Sequence, residues 1–285
     1  MLKKRYFKIV IVVVIVIIVT ILWYRHSVGK SDQAVNVDQS QYIPTLYIHG
    51  WGAGARSTNS MIDYAEKNYN ADQVLTVIVS KKGDVKFQGK WTKKINRPII
   101  QIVLQDNKNG NYNVTQKWFK NILTKLQSTY HVKKFNTVSH SMGNLITMYY
   151  QMNHGSNDKL PKLEKQVNLA GHFDGIIGLD DKVNRNYFLK TGAPRYQNDS
   201  FRDLYQHRNN YPKKQVDILN IYGNLDDGTN SDGRVSNVSS RSLKYILQDR
   251  YHSYREIEIH GVMGQHSKLH ENNNVNRLVG KFLWQ

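Results

Sequence analysis

Residues 135–147 read FNTVSHSMGNLIT. Apolar, β-type character up to Val138 and helix-forming character from Met142 place a sharp strand-to-helix turn between them. A serine presented by such a turn needs small residues two before and two after it, because those positions meet the facing strand and helix. Ser139 and Gly143 satisfy both demands around Ser141. Centring the turn on Ser139 would put Thr137 and Ser141 at the crowded positions and bury the hydroxyl in the strand. Ser141 is therefore the candidate nucleophile, in a Gly-x-Ser-x-Gly-like frame that carries Ser139 in place of the first glycine.

Runs of the same kind recur on both sides. PTLYIHG (44–50), VLTVIVS (74–80), FNTVSHS (135–141), KQVNLAG (165–171), VDILNIYG (216–223) and YREIEIHG (254–261) read as strands ending in glycine or polar turn residues. PIIQIVLQDN (98–107) reads as a further strand that extends the sheet or forms a hairpin. Helical spacing falls between them over 58–68, 112–130, 142–152, 238–248 and 274–284. Strand-helix alternation implies an α/β domain from Tyr42 to Gln285, with a mainly parallel sheet covered by helices on both faces. Residues 174–213 break the alternation, interleaving aromatics with cations and amides without clear periodicity, and are expected to be a lid-like insertion.

The chain carries a net charge of +18 over 285 residues. Six of its cations fall in the first thirty residues, but 34 cations against 22 acids remain in 31–285, so the basic excess belongs to the folded part as well. Such a charge suits anionic cell-surface polymers or lipid head groups. The sequence contains no zinc-finger spacing, RNP-like aromatic motif or basic recognition helix, and no nucleic-acid partner is expected. The absence of cysteine excludes disulfides, thiolate metal sites and a cysteine nucleophile.

MLKKRYFK precedes an uncharged apolar run from Ile9 to Tyr24, interrupted only by Thr20. Four cations before the run and two after it predict a single-pass membrane anchor over residues 1–30, with the N-terminus inside and the remainder outside. A cleaved signal peptide with its small residues at Ser27-Val28-Gly29 is the alternative. Residues 31–41 are polar and aperiodic and read as a tether.

In LYIHGWGAG (46–54) a strand ends in glycine-rich sequence, which exposes backbone N–H groups of the kind that bind a developing oxyanion. The N–H groups of Trp51 and Met142 are the candidates. His49 is expected to brace this loop. The loop at 223–236 offers Asp226, Asp227 and Asp232 as acids, and VMGQHSKLHEN (262–272) offers His266 and His270 as bases. His260 is expected to pack within its strand, and His172 to border the insertion. An EF-hand reading of the 223–236 loop fails, because aligning Asp232-Gly233 with its fifth and sixth positions puts Gly228 first and Ser239 twelfth.

IHGWGAGARSTNSM, VSHSMGN, LAGHFDG, YGNLDDGTNSDGRVSNVSS and GQHSKLHEN, in that order, resemble the α/β-hydrolase superfamily, and within it a group of lipase-like cell-surface hydrolases of Gram-positive bacteria. The resemblance covers residues 42–285 and implies an α/β-hydrolase fold. The superfamily order of nucleophile, acid and histidine implies Ser141, Asp232 and His266, since Asp232-Gly-Arg-Val resembles its Asp-x-x-Val pattern and His266 leads the matching motif. It further implies a serine hydrolase cleaving a small-molecule or lipid carboxylic ester at the cell surface, with no metal and no organic cofactor. An amidase or peptidase with the same residues, or a catalytically silent surface-binding module, are the alternatives.

Overall fold

The structure, a computed structural model, describes residues 38–285. The apolar run 9–24 and most of the 31–41 stretch lie outside the described residues. Among the described residues no helix is long and apolar enough to cross a membrane. Gln39 already docks on the body, donating its side-chain amide to the carbonyls of Trp91 and Lys93. The folded unit thus begins slightly ahead of Tyr42.

Eight strands form one sheet: β1 (Thr45–Ile48), β2 (Asp72–Val79), β3 (Val85–Gln88), β4 (Pro98–Leu104), β5 (Lys134–His140), β6 (Lys162–Leu169), β7 (Asp217–Asn224) and β8 (Ser253–His260). Their order is β3-β2-β4-β1-β5-β6-β7-β8, and every neighbouring pair is parallel except β2 with β3. The strand-helix alternation is thus borne out as a mainly parallel α/β sheet, and the chain has the α/β-hydrolase fold that the resemblance implies. The 98–107 stretch extends the sheet by inserting between β1 and β2, and the hairpin alternative is excluded. The short antiparallel β3 was not expected; its four residues alternate half-buried and exposed, too brief a pattern to stand out in sequence.

Period-two alternation sends side chains to two separate apolar layers. Leu46 and Ile48 of β1 enter one and Tyr47 the other; Ile100 and Ile102 of β4 enter the first and Ile99 the second. The first layer is covered by α2 (Tyr112–Tyr130), α3 (Met142–His154), α4 (Asp199–His207) and α5 (Asn237–Leu247). The second is covered by α1 (Arg56–Tyr69) and α6 (Asn273–Trp284). In α2, Trp118, Ile122, Leu126 and Tyr130 recur every fourth residue and are all buried. Its N-terminus is capped by the Asn111 side chain accepting from Val114 N–H, and it stops at His131 in the left-handed conformation.

The 174–213 excursion contains one α-helix, α4, followed by a 3-10 turn over Arg208–Asn210, which its sequence did not announce. Asn198 caps it by accepting from Phe201 N–H, while only Phe201 and Leu204 of its nine residues are buried, too few to establish a period. Among the described residues, the buried side chains of both apolar layers all lie at or beyond Leu46, with Tyr42 packed against the first, so the unit Val37–Gln285 has a core of its own.

Phe119 lies at the centre of the first layer, 1% exposed and edge-on to Phe135 and Tyr150 with ring centroids 6.0 and 5.1 Å away. Phe119→Ala is expected to cost about 3–5 kcal/mol in urea unfolding, since the rigid layer cannot close the cavity.

Candidate active site

Ser141 follows β5 directly and precedes α3, with φ 50° and ψ −116°. A non-glycine residue in this region is strained by roughly 1–3 kcal/mol and persists only where its surroundings hold it. Here Ser141 N–H donates to Leu169 O at 2.9 Å, while Asn144 donates to Ser141 O from both its backbone and its side-chain amide at 3.0 Å. The Asn144 amide also reaches Leu169 O at 2.9 Å, tying the turn to β6. Gly143 is required by close approach: a Cβ there would lie 2.8 Å from Ile48 O. Ser139 is fully buried in β5 and its hydroxyl pairs with that of Thr147 at 3.2 Å, so its oxygen faces the interior.

His266 lies beyond β8, after a 3-10 turn over Gly261–Gly264. Its Nε2 is 3.0 Å from Ser141 Oγ and its Nδ1 is 2.8 Å from Asp232 Oδ2. The carboxylate accepts, so Nδ1 carries the hydrogen, and bare Nε2 accepts the Ser141 hydroxyl. Asp232 is almost fully buried. Its Oδ1 accepts from Arg234 N–H and Val235 N–H at 2.9 and 2.7 Å, and its own carbonyl accepts His266 N–H at 2.9 Å. The structure therefore brings Ser141, His266 and Asp232 together as one relay.

The competing residues are placed elsewhere. Asp226 is bound by His260 Nδ1 at 2.8 Å on the surface, and Asp227 accepts from Thr229. His260 is not packed, contrary to its expected position within β8; it is the last residue of that strand and faces solvent. His270 is buried against the ring of His140, 4.7 Å away.

The loop after β1 lies beside the turn, since a Cβ at Gly50 would sit 3.1 Å from that of Ser141. Gly52 N–H donates to Asn107 O and Ala53 N–H to Gly50 O. Among the described residues, no acceptor is found for the N–H of Trp51 or Met142. His49 is buried and braces the loop: Leu104 N–H donates to its Nε2 at 3.0 Å, so Nδ1 carries the hydrogen and donates to Gly50 O at 2.9 Å.

Sequence reasoning missed His140. Its Nε2 donates to His266 O at 3.0 Å and its ring lies 4.9 Å from that of His266. Burial, reinforced by His266 and His270 beside it, holds it well below the usual imidazole range, so it is neutral. Burial also lowers His172 to about 4. His172 contacts the Tyr112 hydroxyl at 3.5 Å, next to the start of the excursion. Among the described residues, no group of three or more His, Cys, Asp or Glu converges on a metal position. A groove of about 550 Å³ lined by Phe188, Arg241, Lys244, Tyr245 and Glu256 contains none of the relay residues.

Residues 32–285 match the family described as an alpha/beta hydrolase of unknown function, DUF915. The structure is similar to that of the lin2722 gene product of Listeria innocua, with 26% identity, a TM-score of 0.77, and coverage of 85% of this chain and 94% of that one. It is also similar to a Lactobacillus plantarum WCFS1 protein described as a candidate cell surface hydrolase, with 21% identity, a TM-score of 0.67, and coverage of 85% and 90%. No curated protein matches this chain in sequence.

Gly143→Ala is expected to destabilise the fold by about 1–3 kcal/mol in denaturant unfolding, because the added methyl meets backbone rather than a movable side chain. His172 gives a pH signature. Between its ordinary 6.5 and its folded value of about 4, the unfolded chain binds a proton that the folded chain refuses. Stability should therefore fall as pH drops through that window, and be insensitive to this group above it. His172→Gln should flatten the decline by on the order of 3 kcal/mol, measured as the difference between pH 7 and pH 4.

Proposed function

Because this chain belongs to the alpha/beta hydrolase family of unknown function, we propose that it is a cell-surface serine hydrolase that cleaves a carboxylic ester through an acyl-enzyme on Ser141. The observation that carries this reading is the continuous relay from Asp232 Oδ2 through His266 to Ser141 Oγ, at 2.8 and 3.0 Å. His266 Nε2 takes the hydroxyl proton as Ser141 Oγ attacks the ester carbonyl. The tetrahedral oxyanion is met by the N–H groups of Trp51 and Met142. His266 then returns its proton to the leaving alkoxide, and a water activated by the same imidazole releases the acid. Asp232 keeps the hydrogen on Nδ1 and stabilises the imidazolium, while the His140 contact to His266 O holds the ring's backbone in place.

We assign the 174–213 excursion as a lid, whose aromatic side chains suit an apolar acyl group and whose cations equally suit an anionic substrate. Anchoring by residues 1–30, with a tether from residue 31 to the docked Gln39, would put the enzyme at the cell surface, where the basic excess suits anionic polymers. The Lactobacillus protein's description as a candidate cell surface hydrolase supports that location.

A fluorophosphonate should label Ser141 alone, mapped by peptide mass spectrometry. Ser141→Ala should abolish labelling and lower short-ester turnover by about three orders of magnitude or more. Asp232→Asn and His266→Ala should be severe, and Asp226→Asn and His270→Ala mild. Full activity in Ser141→Ala would overturn the enzyme reading, whereas loss on Asp226→Asn with Asp232→Asn unaffected would overturn only the choice of acid.

A further inference from the structure

The basic excess of the folded part is concentrated on one stretch. Residues 81–134 hold 13 cations against two acids, Asp84 and Asp106, while the other residues of 31–285 hold 21 cations against 20 acids. Within it, KKGDVKFQGKWTKKINR (81–97) supplies the turn after β2, β3 itself and the link to β4. Lys81, Lys82, Lys86, Lys90, Lys93 and Lys94 are all exposed. Among the described residues the lysine ion pairs are those of Lys134, Lys162 and Lys268, so none of the six has an acidic partner. Arg97 is turned inward, donating to the carbonyls of Tyr69 and Trp284. Four exposed acids border the six. Asp84 accepts from the Ser80 hydroxyl at 2.8 Å and Glu66 from Gln73 N–H at 2.8 Å. Asp38 stands near Lys133, and Asp72 adjoins Arg97, whose carbonyl accepts its N–H, so these two have cationic neighbours outside the six.

β3 is the last strand of the sheet and pairs only with β2. A lysine on a bare edge blocks pairing with another chain, which accounts for Lys86; the other five lie outside the strand, where that role does not exist. Val85 and Phe87 pack on the first layer, so strand alternation sends Lys86 to the opposite face. On the first-layer face α2 lies against the same turn, with the Asn121 amide on Gly83 O at 3.0 Å and Lys125 on Val85 O at 2.6 Å, and presents exposed Lys117. The charge thus follows a ridge with two faces, of which a flat bilayer meets only one. None of the large apolar side chains exposed among the described residues falls within 81–134, so nothing here inserts among acyl chains or stacks on an unpaired base. An ammonium is a point charge whose donors meet tetrahedral phosphate oxygens from any direction, whereas a planar carboxylate is best matched by a guanidinium fork. A flexible thread of phosphates fits these constraints.

We infer that the β3 edge of the sheet binds a linear phosphate polymer, which runs along the edge across Lys81, Lys82, Lys86, Lys90, Lys93 and Lys94. The binding is independent of hydrolysis, since none of the six belongs to the relay.

The test uses residues 32–285, which carry both apolar layers and lack the apolar run, and reads the fluorescence anisotropy of end-labelled linear inorganic polyphosphate. Affinity should fall as salt rises. Lys90→Gln/Lys93→Gln/Lys94→Gln, with its circular dichroism unchanged, should lower affinity by about tenfold or more and flatten the slope of log affinity against log salt by about 2. Lys159→Gln/Lys213→Gln/Lys214→Gln removes the same charge from other exposed positions and should bind like the parent. Ser141→Ala should also bind like the parent, so failure of the hydrolase reading leaves this result standing. Unlabelled polyphosphate should compete better than polyglutamate, duplex DNA or phosphatidylglycerol vesicles at equal charge. Absence of binding, equal losses in the two triple variants, or equal or stronger competition by any of the other three anions would overturn the proposal.

Discussion

A serine at φ 50° and ψ −116° can be held only if the chain around it leaves no alternative, and the centre of the molecule is arranged to that end. β5 is paired with β1 as far as Ser139 and with β6 as far as His140, the residue before the turn. The Asn144 amide bridges the carbonyls of Ser141 and Leu169, so the turn is fastened to the neighbouring strand as well as to its own helix. Gly143 allows α3 to rest against the backbone of β1, and Gly50 allows β1's loop to pass the Ser141 side chain. The hydroxyl is thereby carried above the sheet while its near neighbour Ser139 is turned into the core.

Burial then sets the chemistry of the surrounding histidines. Water would stabilise their charged forms; a packed interior does not, so His140 and His49 are depressed and remain neutral. A neutral imidazole is one donor and one acceptor, and its partners choose which nitrogen is which. His49 takes a hydrogen bond from Leu104 and gives one to Gly50, linking β4 to the loop after β1. His140 gives one to the carbonyl of His266. Two histidines without a proposed part in proton transfer thus fix the main chain on either side of the relay.

The excursion between β6 and β7 is organised differently, by polar contacts more than by a core of its own. Asp174 accepts from Asn198 N–H with one oxygen and from the Asn186 amide with the other, although burial pushes its carboxyl up to about 7. Asp181 accepts from the Ser236 hydroxyl, and the Asn184 side chain bonds Gly228 and Asn230 across the loop after β7. Phe201, Leu204 and Tyr211 of its later part join the first apolar layer, whereas these polar bonds carry its first part and leave Leu179 and Val183 outside.

The elements that read clearly in the sequence are those governed by short-range sterics and a regular amphipathic period. Leu46, Tyr47 and Ile48 alternate between two layers, and Trp118, Ile122, Leu126 and Tyr130 repeat every turn, so β1 and α2 are visible without knowing their neighbours. The turn at Ser141 is visible for the same reason, from the sizes of Ser139 and Gly143. Four-residue β3 and nine-residue α4, with two buried side chains, are too short for a period to emerge. The meeting of Ser141 with His266, 125 residues apart, and of His266 with Asp232, 34 apart, depends on the order of β5, β7 and β8 in the sheet, which no local pattern encodes. Asp226 and Asp232 stand six residues apart in one polar loop, and in the sequence only the resemblance of Asp232-Gly-Arg-Val to the superfamily pattern favours Asp232. Tertiary structure separates them by turning Asp232 inward beneath His266 and leaving Asp226 on the surface with His260, because only a folded sheet can bury one carboxylate and supply it with donors.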